Sequence, residues 1–91
     1  MLAYQIIVSG RVQRVGFRAN VHGIATKMGI LGYVRNMDDG RVEILAQSFD
    51  DEKLELFIDS IRSIRWPARV DDISKTKVAF SENIRNFKIA R

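Results

Sequence analysis

The sequence predicts an α+β, ferredoxin-like βαββαβ two-layer sandwich: two helices on one face of an antiparallel sheet, with a short extra C-terminal strand. Three observations predict it. Two stretches carry apolar residues at helical spacing. The stretches around them alternate or are rich in β-branched residues. The middle two strands are joined by Asp38-Asp39-Gly40, a tight-turn signal.

Residues 2–9 form the first strand. Leu2, Tyr4, Ile6 and Val8 share one face, and Gln5 and Ser9 the other. Ile7 breaks the alternation, so that second face is expected to be partly covered. From Phe17 the period changes. Phe17, Val21, Ile24, Ala25 and Met28 make an apolar stripe over a helix at 17–28. Gly29 suits the left-handed stop after it. Residues 31–37 and 41–49 read as strands flanking the Asp-Gly turn.

A second helix is expected over 51–64, with Leu54, Phe57, Ile58, Ile61 and Ile64 as its stripe. Asp50, Asp51 and Glu52 sit where the helix dipole favours negative charge. Ser48 and Asp51 have capping-box spacing. Trp66-Pro67 ends the helix, because proline disfavours the helical conformation in the residue before it. Trp66 is read as a packing residue near that helix end. Residues 70–80 and 86–90 supply the remaining strands.

The 91 residues suit one domain spanning 1–91, because a second core would have almost nothing to bury. Hydrophobic residues are 46% and charged residues 29%, the balance of a globular domain. The absence of cysteine excludes disulfides, thiolate nucleophiles and Cys-type zinc sites. The single histidine, His22, excludes a histidine cluster and is read as structural or surface. Asp38 and Asp39 are read as turn residues rather than metal ligands. No metal site is expected. The first residues lack the pattern of a signal peptide, and no apolar run approaches the roughly 18–20 residues of a membrane span. A cytoplasmic location and no membrane partner are therefore expected.

The formal net charge of +4 fits either a mildly basic surface or an anionic partner. Only the segment Arg11 to Arg18, within SGRVQRVGFRAN at residues 9–20, concentrates basic residues near glycine. This loop joins the first strand to the first helix. A helix start leaves backbone N–H groups unpartnered at the positive end of the dipole, a ready anion site. Arg18 adds a fork of donors for phosphate or carboxylate oxygens. The spacing matches neither a nucleotide P-loop nor a dinucleotide fingerprint. Two readings stay open on spacing alone: a strand-to-helix connector with exposed arginines, or an anion cradle. Asn36, likewise, reads by itself as a strand-end turn residue.

GRVQRVGFR resembles the acylphosphatase signature loop, G-x-V-Q-G-V-x-F-R. GYVRNMDDGRVEI, residues 32–44, resembles the second motif of that family, and NFKI its last strand. The resemblance spans nearly the whole chain in the family's order. It implies the same ferredoxin-like fold and hydrolysis of acyl phosphates to carboxylate and inorganic phosphate, without cofactor or metal. It implies a phosphate-binding loop of Gln13, Arg14, Val15, Gly16, Phe17 and Arg18, whose amides and Arg18 hold phosphate. Asn36 would orient the attacking water. The implied partner is a small acyl phosphate, or a phosphate- or sulfate-like anion, bound to a monomer.

The chain departs from the pattern in three places. Arg14 stands where the family usually has glycine, and a left-handed backbone there would strain it by about 1 kcal/mol. Its side chain is expected to point into solvent. Met37 follows Asn36 where some members carry a small hydroxyl residue, and Arg65-Trp66-Pro67 stands where Gly-Pro is common. The competing class is an anion- or RNA-binding module on the same fold with weak or no hydrolysis. The basic balance favours it. The lack of an RNP-like strand counts against it, so nucleic acid is not an expected partner.

Overall fold

A computed structural model describes residues 1–90. The alternation of the first strand continues through β1 (Leu2–Arg11), which places Ile6 and Val8 under the helices, both fully buried. The following elements are α1 (Phe17–Met28), β2 (Leu31–Asn36), β3 (Val42–Ser48), α2 (Asp51–Arg62), β4 (Arg69–Val78) and β5 (Phe87–Ile89). The sheet order is β4-β1-β3-β2-β5. The first four strands in that row pair antiparallel, and β5 adds to the edge parallel to β2. The βαββαβ sandwich predicted from the sequence is present, and its extra C-terminal strand makes the sheet mixed. Among the described residues no helix is long and apolar enough to cross a membrane.

The core lies between the helices and one face of the sheet. Phe17, Val21 and Ala25 of α1 and Leu54, Phe57, Ile58 and Ile61 of α2 close over Ile6, Val8, Val34 and Ile44. Burying each of these side chains larger than alanine contributes roughly 1.5–3 kcal/mol. Gly32 lets β2 approach β3, because a Cβ there would collide with the Leu45 carbonyl oxygen.

Three local expectations are corrected. The cap of α2 is Asp50, not the Ser48–Asp51 pair. Asp50 has an extended backbone, and its Oδ1 accepts from the Glu52 and Lys53 amides at 3.0 and 3.3 Å. Ser48 Oγ accepts instead from the Asp50 amide. The helix stops at Arg62, short of Ile64. Trp66 does not pack: it is 84% exposed.

The opposite face of the sheet carries no helix, yet Glu43 is only 6% exposed there. Three donors from the two neighbouring strands converge on its carboxylate. Gln5 Nε2 donates to Oε2 at 2.6 Å, Tyr33 Oη donates to Oε1 at 3.0 Å, and the Arg35 guanidinium donates to Oε1. Arg35 and Glu43 are register partners across β2 and β3. Burial and the Glu43 carboxylate push the Tyr33 phenol up, which keeps it a donor.

Burial alone pushes the Glu43 carboxyl up, but the hydrogen bonds from Arg35, Gln5 and Tyr33 and the charge of Arg35 outweigh it. The net direction is downward from the ordinary value of 4.5. A group whose folded pKa is lowered stabilises fully above its unfolded value and loses that contribution as pH falls through the folded one. Urea unfolding between pH 7 and pH 3 should therefore show stability falling below about pH 4.5, the region of an unfolded Glu. Glu43→Gln should remove part of that fall. An identical acid dependence in the variant would assign the loss to other carboxylates.

Candidate active site

Residues 12–16 connect β1 to α1, and their backbone turns sharply. Arg14 has φ 63 and Gly16 has φ 75, both left-handed. Gly16 suffers no penalty in that region, whereas Arg14 is the only non-glycine residue with positive φ among the described residues. The left-handed Gly16 leads directly into the right-handed Phe17 of α1. Such a reversal turns neighbouring amides to a common side, the geometry of an anion-binding nest.

The start of α1 differs from that of α2. Gly16 provides no side-chain cap, and the first turn contains no acidic residue. The first N–H groups of a helix have no intrahelical partner. In α2 a carboxylate occupies that position; in α1 the position is open to an anion of another molecule.

A pocket of about 190 Å³ forms beside this helix start. It brings Arg14, Gly16, Phe17 and Arg18 together with Asn36, which ends β2, and Val12 and Ile89 line it as well. Residues 18 positions apart in sequence thus meet at one cavity. Arg14 lines it while remaining exposed. Val15 is half-buried against the core and does not line the cavity.

Two contacts that the sequence does not signal hold this arrangement. Arg18 Nη1 donates to the Ala90 carbonyl at 3.2 Å. Ala90 is itself held to β2, through its amide on the Val34 carbonyl at 2.8 Å. One of the five guanidinium donors is used this way, and the other four have no partner among the described residues. Gln13 Nε2 donates to the carbonyls of Met37 at 2.7 Å and Arg41 at 2.9 Å. Its side chain is a strut from the loop to the mouth of the β2–β3 hairpin, and the carboxamide nitrogen is spent there.

The hairpin is stiffened at the same point. Met37 N donates to Arg41 O at 2.8 Å, and Asp39 accepts from the amide and side chain of Arg41. The Arg41 side-chain hydrogen bond holds the Asp39 carboxyl below its usual range. Asp39 therefore acts within the turn. Tyr33 belongs to the Glu43 cluster, and the His22 ring lies 6.2 Å from that of Phe87.

The Asn36 Oδ1 is buried and has no hydrogen-bond partner among the described residues. A buried unsatisfied acceptor costs about 1–3 kcal/mol. The cost is removed if a bound group or water donates to it. Guanidinium, unpartnered helix amides and an unpartnered amide oxygen together describe a site for a tetrahedral anion with an adjacent water.

A family model described as Acylphosphatase matches residues 4–89. An acylphosphatase of Lactococcus lactis is 56% identical, with 90% of this chain and 92% of the relative covered. One from Bacillus subtilis is 44% identical, with 98% and 97% covered. The crystal structure of acylphosphatase from Bacillus subtilis superposes with a TM-score of 0.93 at 43% identity and covers all of both chains. That of T. kodakarensis HypF superposes at 0.86 with 37% identity, and the match covers 12% of that longer chain.

The left-handed Arg14 makes a stability prediction. A side chain in that region costs roughly 1–2 kcal/mol, and glycine returns about 0.5–1 kcal/mol of that through its freer unfolded state. Arg14→Gly should raise the unfolding free energy in urea by about 0.5–1 kcal/mol. A lowered urea midpoint would show that the arginine contributes compensating contacts.

Proposed function

The chain belongs to the acylphosphatase family, and on that premise we propose how it cleaves the carboxyl–phosphate bond of small acyl phosphates without a metal. The phosphoryl group sits at the start of α1, against the amides of residues 13–18 and the guanidinium of Arg18. Asn36 orients water for attack on phosphorus. The observation that carries this reading is the buried, unpartnered Asn36 Oδ1 beside the Arg18 pocket.

The chemistry needs few groups. A carboxylate leaves readily, so no strong general acid is required. Water oxygen bonds to phosphorus as the bond from phosphorus to the carboxyl oxygen breaks, releasing carboxylate and inorganic phosphate. Phosphoryl transfer is catalysed mainly by positioning and by charge stabilisation. Arg18 and the amides supply the positive potential. The Asn36 carboxamide accepts from water but is not a proton acceptor of carboxylate strength. The residues lining the pocket carry no carboxylate or imidazole. The water proton therefore passes to a phosphoryl oxygen of the substrate itself. Gln13 keeps the loop and the hairpin at the separation that this attack requires.

Hydrolysis of benzoyl phosphate in the presence of a chelator tests the scheme. Arg18→Ala should lower kcat/KM by about 10³-fold and weaken inhibition by inorganic phosphate. Asn36→Ala should lower kcat by about 10²-fold or more while phosphate inhibition is kept. Gln13→Ala should lower kcat by roughly tenfold to 10²-fold, since about 1 Å of misplacement costs that much. Arg18 or Asn36 variants with unchanged rates would overturn the assignment. So would a pH–rate limb that requires an enzyme base.

A further inference from the structure

Five residues scattered in the sequence gather at a second hollow. Arg11 ends β1, Arg62 ends α2, Arg65 and Trp66 lie in the connector, and Arg69 begins β4. They line a space of about 300 Å³ that shares no residue with the Arg18–Asn36 pocket. Ile64, Pro67, Ala68 and Val70 form its apolar walls, and no carboxylate lines it.

The charges here are poorly compensated. Arg69 pairs with Asp71, Nε to Oδ1 at 2.8 Å. Arg11, Arg62 and Arg65 have no acidic partner among the described residues. Arg11 and Arg69 are register partners on adjacent strands, where like charges repel. Packing of α2 requires none of these guanidinium groups, because its apolar stripe is made by other residues.

Trp66 stands in the middle of this chemistry and is 84% exposed, more than any other large apolar side chain described. An indole held in water beside uncompensated guanidinium groups presents a stacking face with phosphate donors around it. We propose that this surface binds single-stranded nucleic acid, with Trp66 stacked on a base and Arg11, Arg62 and Arg65 on the flanking phosphates. The chemistry is that of stacking platforms set in a positive groove, which need no base-specific hydrogen bonds. The strand that the RNA-recognition signature would require is not involved, so its absence from the sequence does not bear on this surface.

Trp66 is the single tryptophan of the chain, so its fluorescence reports the site directly. Decauridylate at low salt should quench it, and the affinity should fall with salt. Three phosphate contacts correspond to a log–log slope of about −2. By fluorescein anisotropy, Trp66→Ala should weaken binding by roughly five- to 150-fold, the equivalent of one lost stack. Trp66→Phe should restore part of the loss, and Arg65→Ala should reduce the slope by about 0.7. Benzoyl phosphate hydrolysis should be unchanged in all three variants. The proposal is overturned if decauridylate causes no quenching or if binding survives Trp66→Ala. Equal affinity for inorganic polyphosphate would reduce the surface to charge alone, and equal affinity for UMP would make it a mononucleotide site; either result also overturns it.

Discussion

β3 lies between β1 and β2, and its pairing with both decides where the halves of the proposed catalytic site meet. Ile44 opposes Ile6 on one side and Val34 on the other, all three under the helices. Side chains alternate along a strand, so a slip of one residue would turn every one of them to the opposite face. A slip of β2 would take Asn36 from the pocket to the bare face. A slip of β3 would take Glu43 into an apolar core, where an unpaired carboxylate is very costly. Instead, Glu43 is buried on the other face with donors from Gln5, Tyr33 and Arg35. The cluster thus makes the functional register favourable and the slipped register expensive. Arg35, one residue before Asn36, connects this constraint directly to the site.

The two helices use one piece of physics in opposite ways. At α2 the positive end of the dipole and the free amides are satisfied by Asp50, with Asp51 and Glu52 in the first turn. At α1 neither a cap nor an acid is present. The loop before α1 also holds Arg14 in a left-handed conformation, and the pocket contains an amide oxygen without a partner. Each feature lowers the stability of the unliganded chain, and all three lie at one site. Strain and unsatisfied groups that coincide in this way are stabilised elsewhere, here by a continuous apolar core and by the Gln13 strut.

Features set by neighbours in the chain were legible in the sequence. The stripe from Phe17 to Met28, the glycine stop and the Asp-Gly turn all depend on local backbone preference, and the bounds of α1 agree with the periodicity. Local reading failed where two nearby groups could do the same job. Ser48 and Asp50 both accept near the start of α2, and only the extended backbone of Asp50 decides which one caps the helix. Trp66 departs from the expectation because a large apolar side chain is ordinarily buried, while its direction depends on the connector between α2 and β4. The Gln13 contact with Met37 and the Arg18 contact with Ala90 span 24 and 72 residues, and no local pattern encodes them. The paired motifs brought Arg18 and Asn36 to notice, but not the contacts that position them.

Register also explains why the two positive regions lie toward one end of the molecule. Asn36 opposes Val42, which opposes Val8, and β1 runs three residues farther in the same direction to Arg11. That extra length is roughly 10 Å. The C-terminal end of β1, the start of α1, the end of α2 and the start of β4 therefore share this end. Arg14 and Arg18 line the pocket and Arg11, Arg62, Arg65 and Arg69 line the hollow, so both regions at this end carry several guanidinium groups. Chemistry then separates the two regions. The pocket offers short-range, directional partners: backbone amides, a guanidinium fixed on Ala90 and an unpartnered carboxamide oxygen. The hollow offers guanidinium groups of which three have no acidic partner among the described residues, and the face of a ring. A compact phosphoryl group gains most from the first, because its oxygens need several fixed donors at once. A chain of phosphates and bases gains most from the second, because spaced charges and flat faces match it without a close fit.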